Sequence, residues 1–523
     1  MGIKMLAMQL EQRTVTPITN PESLPDLIRV AIARAKHLGQ PIILSYTLAW
    51  QHIDPLAFLA AKSEVGQHKF YWQQPDQGLT LAAGGMVATI SENVATIVKP
   101  TLRFDLAKQF AQHYLVHAVV GGEPSAIAYG IPSPYVLGGF AFHDVRSQQT
   151  WHGFPAVMMY VPCWLMRQTD ADSSLMVNHC VYPQDEPEVI ESYLERLIAY
   201  LRQDFKPSEL CGARFPEGCI PPSASRVVDR FKYQSKDRSS AVVIEEIVGD
   251  RPWAEIVQQA VDCIKLGKLD KVVLSRALEV TARHNYEAIE VLDRLRQSYP
   301  ECITFLIDFG IGTAFLGATP EMLLKFQTCN NRLLLSSDAL AGSIGRSQTV
   351  GEDLDLGDRL LHSSKDLGEH EIVIKSICDC LHKIGADLHP IEPPKLLKLS
   401  NVQHLYTPIA AELANTSWLT AFDVLEQLHP TAAVGGDPKA TALHLMREWE
   451  VCDRGWYAAP IGWVNGNGEG AFAVGIRSGY LSNNKARIYA GAGIVSDSQF
   501  DAELDETAIK FEALLQALAA SQK

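Results

Sequence analysis

The chain has 523 residues, of which 47% are hydrophobic and 20% charged, and its formal net charge is −14. This length and apolar content predict a globular fold with a large core and exclude a disordered chain. An acidic surface repels nucleic acids and anionic membranes, so we expect neither as a partner. No run is apolar enough to span a membrane or act as a signal peptide, which predicts a cytoplasmic protein.

The first half alternates helices with short apolar strands. A helix with a closing glycine is predicted over residues 21–39, and a second helix over residues 188–205. Short strand-like runs and Gly/Pro-rich turns lie between them. A polar stretch containing Pro and Ser, residues 206–240, follows the second helix. Its composition predicts a boundary between an N-terminal part, 1–240, and a catalytic part, 241–523.

The second half has a denser pattern of strands and helices. An amphipathic helix is predicted over residues 253–267, and four strand-like runs follow in the next eighty residues. Residues 462–481 have the Gly/Asn turns and flanking apolar runs of a hairpin, and the last helix spans residues 501–519. Because strands and helices come in runs, the pattern predicts an α+β fold with antiparallel sheets.

Two predicted helices each place a pair of acidic residues three positions apart. The pairs are Asp366 with Glu369, and Glu503 with Glu506, with Lys510 one turn further on. Residues at i and i+3 share a helix face, so each pair is either a solvated surface or a site for a hard cation. Magnesium prefers carboxylate oxygens and retains waters that bridge to anionic substrates. Glu506 and Lys510 could equally form a simple salt bridge.

Small residues near the C-terminus indicate room for an anionic ligand. Gly491 and Gly493, in AGAGIV, allow close approach of the backbone or form a tight turn. A Rossmann fingerprint is absent, because no third glycine follows in G-x-G-x-x-G spacing. Strand alternation places Arg477 on one face with Ala473 and Gly475, where a guanidinium either grips a carboxylate or points to solvent.

Two further residues are candidates for proton transfer. Lys271 begins a strand with apolar alternate positions, where burial would favour a neutral, basic amine, although most lysines face solvent. Glu321 follows a strand, a glycine and a proline, and is predicted in the first turn of a helix, where acidic residues are common. These residues suggest an anion and magnesium site without identifying a reaction.

Ten runs of the second half resemble, in order, the chorismate-binding domain of isochorismate synthases and of the related anthranilate, aminodeoxychorismate and salicylate synthases. The resemblance covers residues 250–515 and implies a sandwich-like core of large antiparallel sheets with helices packed outside. SSKDLGEH and SDALAGS depart from the usual SxKDRHEH and PLAGS without removing a proposed functional residue. The runs are LDKVVLSR, FLGATPEMLL, ALAGSIGR, SSKDLGEHEIV, VQHLYTPIA, LHPTAAVGGDPKATAL, DRGWYAAPIGW, AVGIR, AGAGIV and AELDETAIK.

The resemblance implies roles for four acidic or basic side chains. Lys271 corresponds to the family's general base, which activates water, and Glu321 corresponds to the general acid. Glu369 and Glu506 correspond to the two ligands of a magnesium ion. The implied reaction converts chorismate to isochorismate by adding water at C2 while hydroxide leaves from C4.

Five further residues match positions in or near the substrate pocket of the family. Arg477, Gly491 and Lys510 match positions that grip the substrate carboxylates. Gly342 and His404 lie in matching motifs close to the pocket.

Two positions separate the relatives that the resemblance includes. Ammonia-using anthranilate synthases carry glutamine at the position of Lys271, and aminodeoxychorismate synthases carry a lysine where this chain has Ala341. Water is therefore the expected nucleophile. The extended N-terminal half resembles quinone-pathway enzymes slightly more, so the menaquinone or phylloquinone pathway is the expected context. Salicylate synthase, an isochorismate synthase of a siderophore pathway and a non-catalytic homologue remain alternatives.

Overall fold

The computed structural model describes residues 23–62, 68–92, 102–126, 133–143, 150–203, 242–414 and 416–522. Within these ranges the chain forms eleven α-helices and twenty-three strands, together with one 3-10 turn, Pro75–Gln77. No helix in the described ranges is long and apolar enough to cross a membrane. The helices are α1 Leu24–Leu38, α2 Pro55–Ala61, α3 Leu102–Val116, α4 Pro187–Arg202, α5 Trp253–Lys265, α6 Ala288–Ser298, α7 Val350–Leu361, α8 Ser364–Lys383, α9 Thr420–Leu428, α10 Lys439–Trp449 and α11 Phe500–Ala520.

The strands are numbered in chain order, and most are five to ten residues long. The first ten are β1 Ile42–Ala49, β2 Lys69–Gln74, β3 Leu79–Gly84, β4 Ala88–Glu92, β5 Val119–Gly122, β6 Tyr135–Phe140, β7 Val157–Val161, β8 Trp164–Gln168, β9 Ser173–Val181 and β10 Val242–Glu246. The others are β11 Lys271–Ala282, β12 Ile303–Asp308, β13 Thr313–Thr319, β14 Met322–Cys329, β15 Arg332–Gly345, β16 Asp387–Leu388, β17 Lys395–Lys398, β18 Val402–Ala414, β19 Gly436–Asp437, β20 Pro460–Asn465, β21 Glu469–Val474, β22 Ser478–Ser482 and β23 Lys485–Ile494.

These strands form two large sheets. The first has the order β10-β11-β23-β22-β13-β12-β2-β3-β8-β9-β1-β5, with β19 beside β11. The second has the order β16-β18-β15-β14-β21-β20-β6-β7-β4, with β17 beside β18. Described neighbours pair antiparallel except β1 and β5, which are parallel. The predicted α+β class with antiparallel sheets is therefore confirmed.

One continuous apolar core lies between the two sheets. It combines side chains of the first sheet, such as Phe305 and Leu274, with side chains of the second, such as Leu324 and Phe472. A second buried cluster covers the other side of the first sheet, where α1 and α4 pack against strands. This layering is a sandwich with helices outside, as the resemblance implied.

Both halves of the chain contribute strands to both sheets. In the first sheet β12 pairs with β2, and in the second β20 pairs with β6. The predicted boundary near residue 240 lies outside the described residues, which resume at residue 242. The division into an N-terminal and a catalytic part therefore stays a prediction.

Several predicted elements are confirmed. The helix predicted over 21–39 is α1, and Gly39 ends it in the left-handed conformation, with φ 65°. The predicted hairpin is β20 and β21, joined at residues 466–468, and the predicted last helix is α11.

Candidate active site

A pocket opens where α8 and α11 meet strands of both sheets. It encloses about 670 Å³, including its open mouth. Its walls come from β11 and β23 of the first sheet and from β15 and β18 of the second. Of the nine residues assigned to the site from the sequence, eight line it: Glu321, Gly342, Glu369, His404, Arg477, Gly491, Glu506 and Lys510.

Lys271 lies behind the pocket wall and reaches one of the lining carboxylates. It is the first residue of β11 and is fully buried, with its Nζ 2.9 Å from Glu369 Oε1 on α8. Gly493 on β23 lies beside this pair. A Cβ there would lie 3.0 Å from Lys271 Cε and would overlap Glu369 Oε1. The glycine therefore leaves room for a buried ion pair, which needs close geometry to offset desolvation.

Glu506 and Lys510 form a second ion pair one helical turn apart on α11. Lys510 Nζ lies 2.7 Å from Glu506 Oε1 and donates a hydrogen bond of 2.8 Å to Gly491 O. Burial tends to raise the pKa of Glu506. The charge and hydrogen bond of Lys510, with smaller contributions from Glu503 and Lys365, together lower that pKa below its usual value. The simple salt bridge considered from the sequence is present, and it lies inside the pocket.

The other acidic member of each helix pair has its own partner. Lys365 Nζ lies 2.9 Å from the buried Glu503, whose pKa is raised to about 7 by burial and by neighbouring Glu506. Asp366 exchanges hydrogen bonds with Ser363, whose hydroxyl oxygen caps the start of α8 by accepting from the Asp366 N–H. Asp366 is not among the residues that line the pocket.

Glu321 is buried and lies in the short link between β13 and β14. The predicted position in the first turn of a helix is wrong, because β14 begins at the next residue. Burial, followed by the negative charge of Asp338, raises the pKa of Glu321 to about 8, although Lys271 and Lys510 oppose this rise. Among the described residues its Oε1 has no hydrogen-bond partner. Glu321 is therefore protonated at neutral pH.

Arg477 is buried and contacts His404. The predicted strand alternation is wrong at this position, because β21 ends at Val474 and Arg477 adopts a left-handed φ of 48°. Its Nη2 donates to His404 Nε2 at 3.1 Å, so His404 is neutral and its Nδ1–H donates to Ser343 Oγ at 2.9 Å. Burial and the Arg477 charge lower the pKa of His404 well below its usual value.

Gly342 forms a bulge in β15 directly beside His404. Its φ is 75°, and the pairing register with β18 shifts between Ala341 and Ser343. A Cβ at this position would also lie 3.1 Å from Asp366 Cβ. The bulge therefore needs glycine for both its conformation and its packing.

Two lining residues, Arg454 and Tyr457, had no role assigned from the sequence. Both lie in DRGWYAAPIGW, a run that resembles the chorismate-binding domain. The sequence alone did not show which of its polar side chains face the pocket. Arg454 is buried, pairs with Glu450 and donates to the carbonyl oxygens of Val273 and Val434. It therefore joins β11 to the segment before β19. Tyr457 forms a buried wall, stacked on Tyr489 with ring centroids 4.9 Å apart.

The carboxylates of this pocket suit a magnesium ion, which keeps several water ligands, better than a metal whose ligands all come from the protein. In the described part of the chain, no three His, Cys, Asp or Glu side chains converge as a metal cage. Glu369 and Glu506 nevertheless line the same pocket from two helices. Magnesium is often held by one or two carboxylates, with waters and substrate oxygens completing six ligands. The donor set therefore fits magnesium.

Comparisons with known proteins cover nearly the whole chain. A sequence model of the family described as chorismate binding enzyme matches residues 30–215 and 222–519. Isochorismate synthase MenF of Bacillus subtilis is 31% identical over 496 residues, which cover 94% of this chain and 97% of that protein. The salicylate biosynthesis isochorismate synthase of Pseudomonas aeruginosa is 31% identical over 493 residues, covering 94% and 93%.

The fold also matches a solved structure. The menaquinone-specific isochorismate synthase MenF from Escherichia coli aligns with a TM-score of 0.69 at 23% identity, covering 94% of this chain and 100% of that one.

Proposed function

The chain belongs to the family of chorismate-binding enzymes, and we propose that it is an isochorismate synthase of a menaquinone or phylloquinone pathway. The observation that supports this most is a pair of buried groups, the neutral acid Glu321 in the pocket wall and the amine of Lys271 behind that wall. An acid that is protonated at neutral pH and a nearby amine are what the exchange of a hydroxyl group requires.

The cations of the pocket suit a substrate with two carboxylates. The buried guanidinium of Arg477 can bind a carboxylate through paired hydrogen bonds, and the neutral His404 behind it holds it in place. Lys510 also lines the pocket, and its Nζ donates to Gly491 O. Chorismate presents a ring carboxylate and an enolpyruvyl carboxylate, so these cations match its charges.

Lys271 and Glu321 divide the proton transfers. Lys271 takes a proton from the water whose oxygen bonds to C2 of the ring. The ring double bonds shift, the C4–O bond breaks, and Glu321 gives its proton to the departing hydroxyl, which leaves as water. One water enters and one leaves, so the product is an isomer of the substrate. The raised pKa of Glu321, about 8, supplies the acid in its protonated form.

Glu369 and Glu506 would hold the magnesium ion, which when bound supplies positive charge for a substrate carboxylate. Each of these carboxylates also pairs with a lysine, Glu369 with Lys271 and Glu506 with Lys510. To act as the base, Lys271 must first lose the proton that it carries in this ion pair, whereas Lys510 can bind substrate as a cation. The lysine pairs therefore link the metal ligands to the acid–base and binding groups.

The substrate is a small molecule, and we place the enzyme in the cytoplasm without a nucleic-acid or membrane partner. The net charge of −14 supports this proposal, because an acidic surface repels phosphate backbones and anionic lipids.

Product analysis tests the proposed function. The purified protein, incubated with chorismate and magnesium, should accumulate isochorismate, both with and without an ammonium salt. Ala341 lines the pocket where a nucleophilic lysine would be needed for aminodeoxychorismate chemistry. Chromatography separates the outcomes. Salicylate with stoichiometric pyruvate would identify a salicylate synthase, anthranilate formed only with ammonium would remove water as the nucleophile, and no turnover would indicate a non-catalytic homologue.

A further inference from the structure

A carboxylate that the sequence motifs did not mark, Asp338, holds the backbone next to Glu321. Asp338 lies on β15, and its Oδ2 accepts a hydrogen bond of 3.1 Å from the backbone N–H of Met322. Its Oδ1 accepts a hydrogen bond of 3.1 Å from the Tyr406 hydroxyl on β18. Both carboxylate oxygens are therefore fixed, one of them on the residue that directly follows Glu321.

The backbone around Glu321 is also held by neutral groups. Thr319 Oγ1 accepts from the Glu321 N–H at 3.3 Å, and the Val474 N–H donates to Glu321 O at 3.0 Å. Ser337, next to Asp338 on β15, donates from its Oγ to Leu323 O at 2.7 Å. Asp338 is the charged member of this set of contacts, so its effect on Glu321 can be separated from simple backbone support.

We infer that Asp338 is a positioning residue for the general acid: its carboxylate fixes the link that bears Glu321 and presents a negative charge to the Glu321 carboxyl group. The inference rests on the proposed function, in which Glu321 is the proton donor. Asp338 lies in SDALAGS, one of the two segments in which this chain departs from the usual family pattern.

The charges around Glu321 come from three elements. Asp338 on β15 raises the pKa of Glu321, after burial, whereas Lys271 on β11 and Lys510 on α11 lower it. The phenol of Tyr457 also faces Glu321, and burial raises its pKa to about 12, so it is neutral. A negative charge near an acid favours its protonated form, which is the form that donates a proton.

Asp338 itself is ionised in the range where Glu321 titrates. Burial raises its pKa to about 6, while the hydrogen bonds from Met322 and Tyr406 lower it and the charge of Asp76 raises it slightly. The pKa of Asp338 is about 6 and that of Glu321 is about 8. At a pH between these two values, Asp338 is therefore a carboxylate and Glu321 a carboxylic acid.

The pH dependence of kcat/KM tests this inference, because it reports groups of the free enzyme. In the wild type, kcat/KM should fall as the pH rises through the pKa of Glu321, since the deprotonated form cannot donate. Asp338→Asn removes the negative charge and should move this high-pH limb down by about one pH unit. Asp338→Ser makes the same prediction if the asparagine variant does not fold.

Ser337→Ala is the matched control, because it removes a neighbouring backbone contact and no charge. It should leave the limb in place, even if kcat falls. A limb that is unmoved in the Asp338 variants, or that moves equally in Ser337→Ala, would overturn the inference. A wild-type profile without a high-pH limb would instead contradict the acid role of Glu321, and with it the proposed mechanism.

Discussion

Burial sets the chemical character of the two groups assigned to proton transfer. Glu321 is 2% exposed and Lys271 is fully buried, yet their environments differ. Glu321 has no hydrogen-bond partner at Oε1 within the described chain, and burial keeps it protonated. Lys271 has a carboxylate 2.9 Å away. Both side chains are buried, but only Lys271 has an opposite charge within contact. Glu321 is therefore a neutral acid, whereas Lys271 is the amine of an ion pair.

Lys271→Ala should abolish turnover while the protein stays folded. Loss of a general base costs about 10²–10⁴-fold in kcat. Lys268→Ala, three residues earlier and exposed, is the matched control and should retain wild-type kcat. Steady-state kinetics measure the effect, and thermal unfolding followed by circular dichroism checks the fold. If Lys271→Ala retains more than about half of the wild-type kcat, Lys271 is a structural residue and not the base, because loss of a general base leaves a far lower kcat.

The residues proposed for the site were largely recognisable from the sequence, but their partners were not. Motifs identified Lys271, Glu369, Glu506 and Lys510, and their local spacing showed the Glu506–Lys510 pair. The Lys271–Glu369 pair joins positions 98 residues apart on a strand and a helix, and no local pattern encodes such a contact.

At the scale of elements, α8 and α11 each direct one carboxylate into the pocket. The N-terminal end of α8 is fixed by the Ser363 cap, and α11 packs on β23. Lysines from β11 and from α11 itself neutralise the two carboxylates. Two rigid helices thus hold the proposed metal ligands at a set separation, which suits an ion that demands near-ideal geometry.

Glu369→Ala and Glu506→Ala should each weaken magnesium binding by more than about tenfold, because even outer-shell changes cost that much. Calorimetric titration of magnesium in the presence of chorismate measures this. Glu371→Ala on α8 and Asp505→Ala on α11 are matched controls, since both side chains are exposed on the same helices. Unchanged magnesium affinity in both pocket variants would rule out these ligands.

Gly493→Ala should damage the site without damaging the fold. The new Cβ would collide with Glu369 Oε1 and crowd Lys271, and small displacements of catalytic groups cost about 10²-fold in rate. Gly368→Ala is the control, because its Cβ would meet open space on a helix and should stabilise the protein by about 1 kcal/mol. Equal kcat for Gly493→Ala and wild type would show that the Lys271–Glu369 pair is dispensable.

Two local predictions failed for identifiable reasons. Strand alternation was extended through Arg477, but the chain turns before it, where the Ile476 N–H donates to Val474 O. Alternation of side chains does not show where the pairing between two strands ends. Glu321 after Thr-Pro resembled a helix start, but pairing of the next residues with β21 makes them a strand. In both cases contacts between distant segments override the local pattern.

For the whole molecule, elements from both sides of the predicted division near residue 240 share one apolar core. In each sheet the strands from before residue 204 form one block and those from after residue 241 form another. The two blocks meet at the β12–β2 and β20–β6 pairs, and one apolar cluster spans both. The resemblance found in the second half identified the chemistry, but the order of the strands depends on pairings across the chain that one sequence does not display.

Residues 242–523 alone should therefore fail to fold cooperatively. Without the first half, β12 loses β2 and β20 loses β6, which exposes two long strand edges to aggregation. Thermal unfolding of this fragment by circular dichroism should show no sharp transition, and co-expression with residues 1–241 should restore one. A fragment with a cooperative transition and chorismate turnover would show that the second half is an independent domain.

The origin of the new hydroxyl oxygen shows whether water attacks C2 of the ring. The protein, chorismate and magnesium are incubated in water enriched in ¹⁸O, and the product is isolated early and weighed by mass spectrometry. If Lys271 activates water for attack at C2 while Glu321 protonates the C4 hydroxyl, isochorismate carries one ¹⁸O atom, bonded to C2. Isochorismate without ¹⁸O would mean that the C4 hydroxyl itself migrates, and would contradict the account.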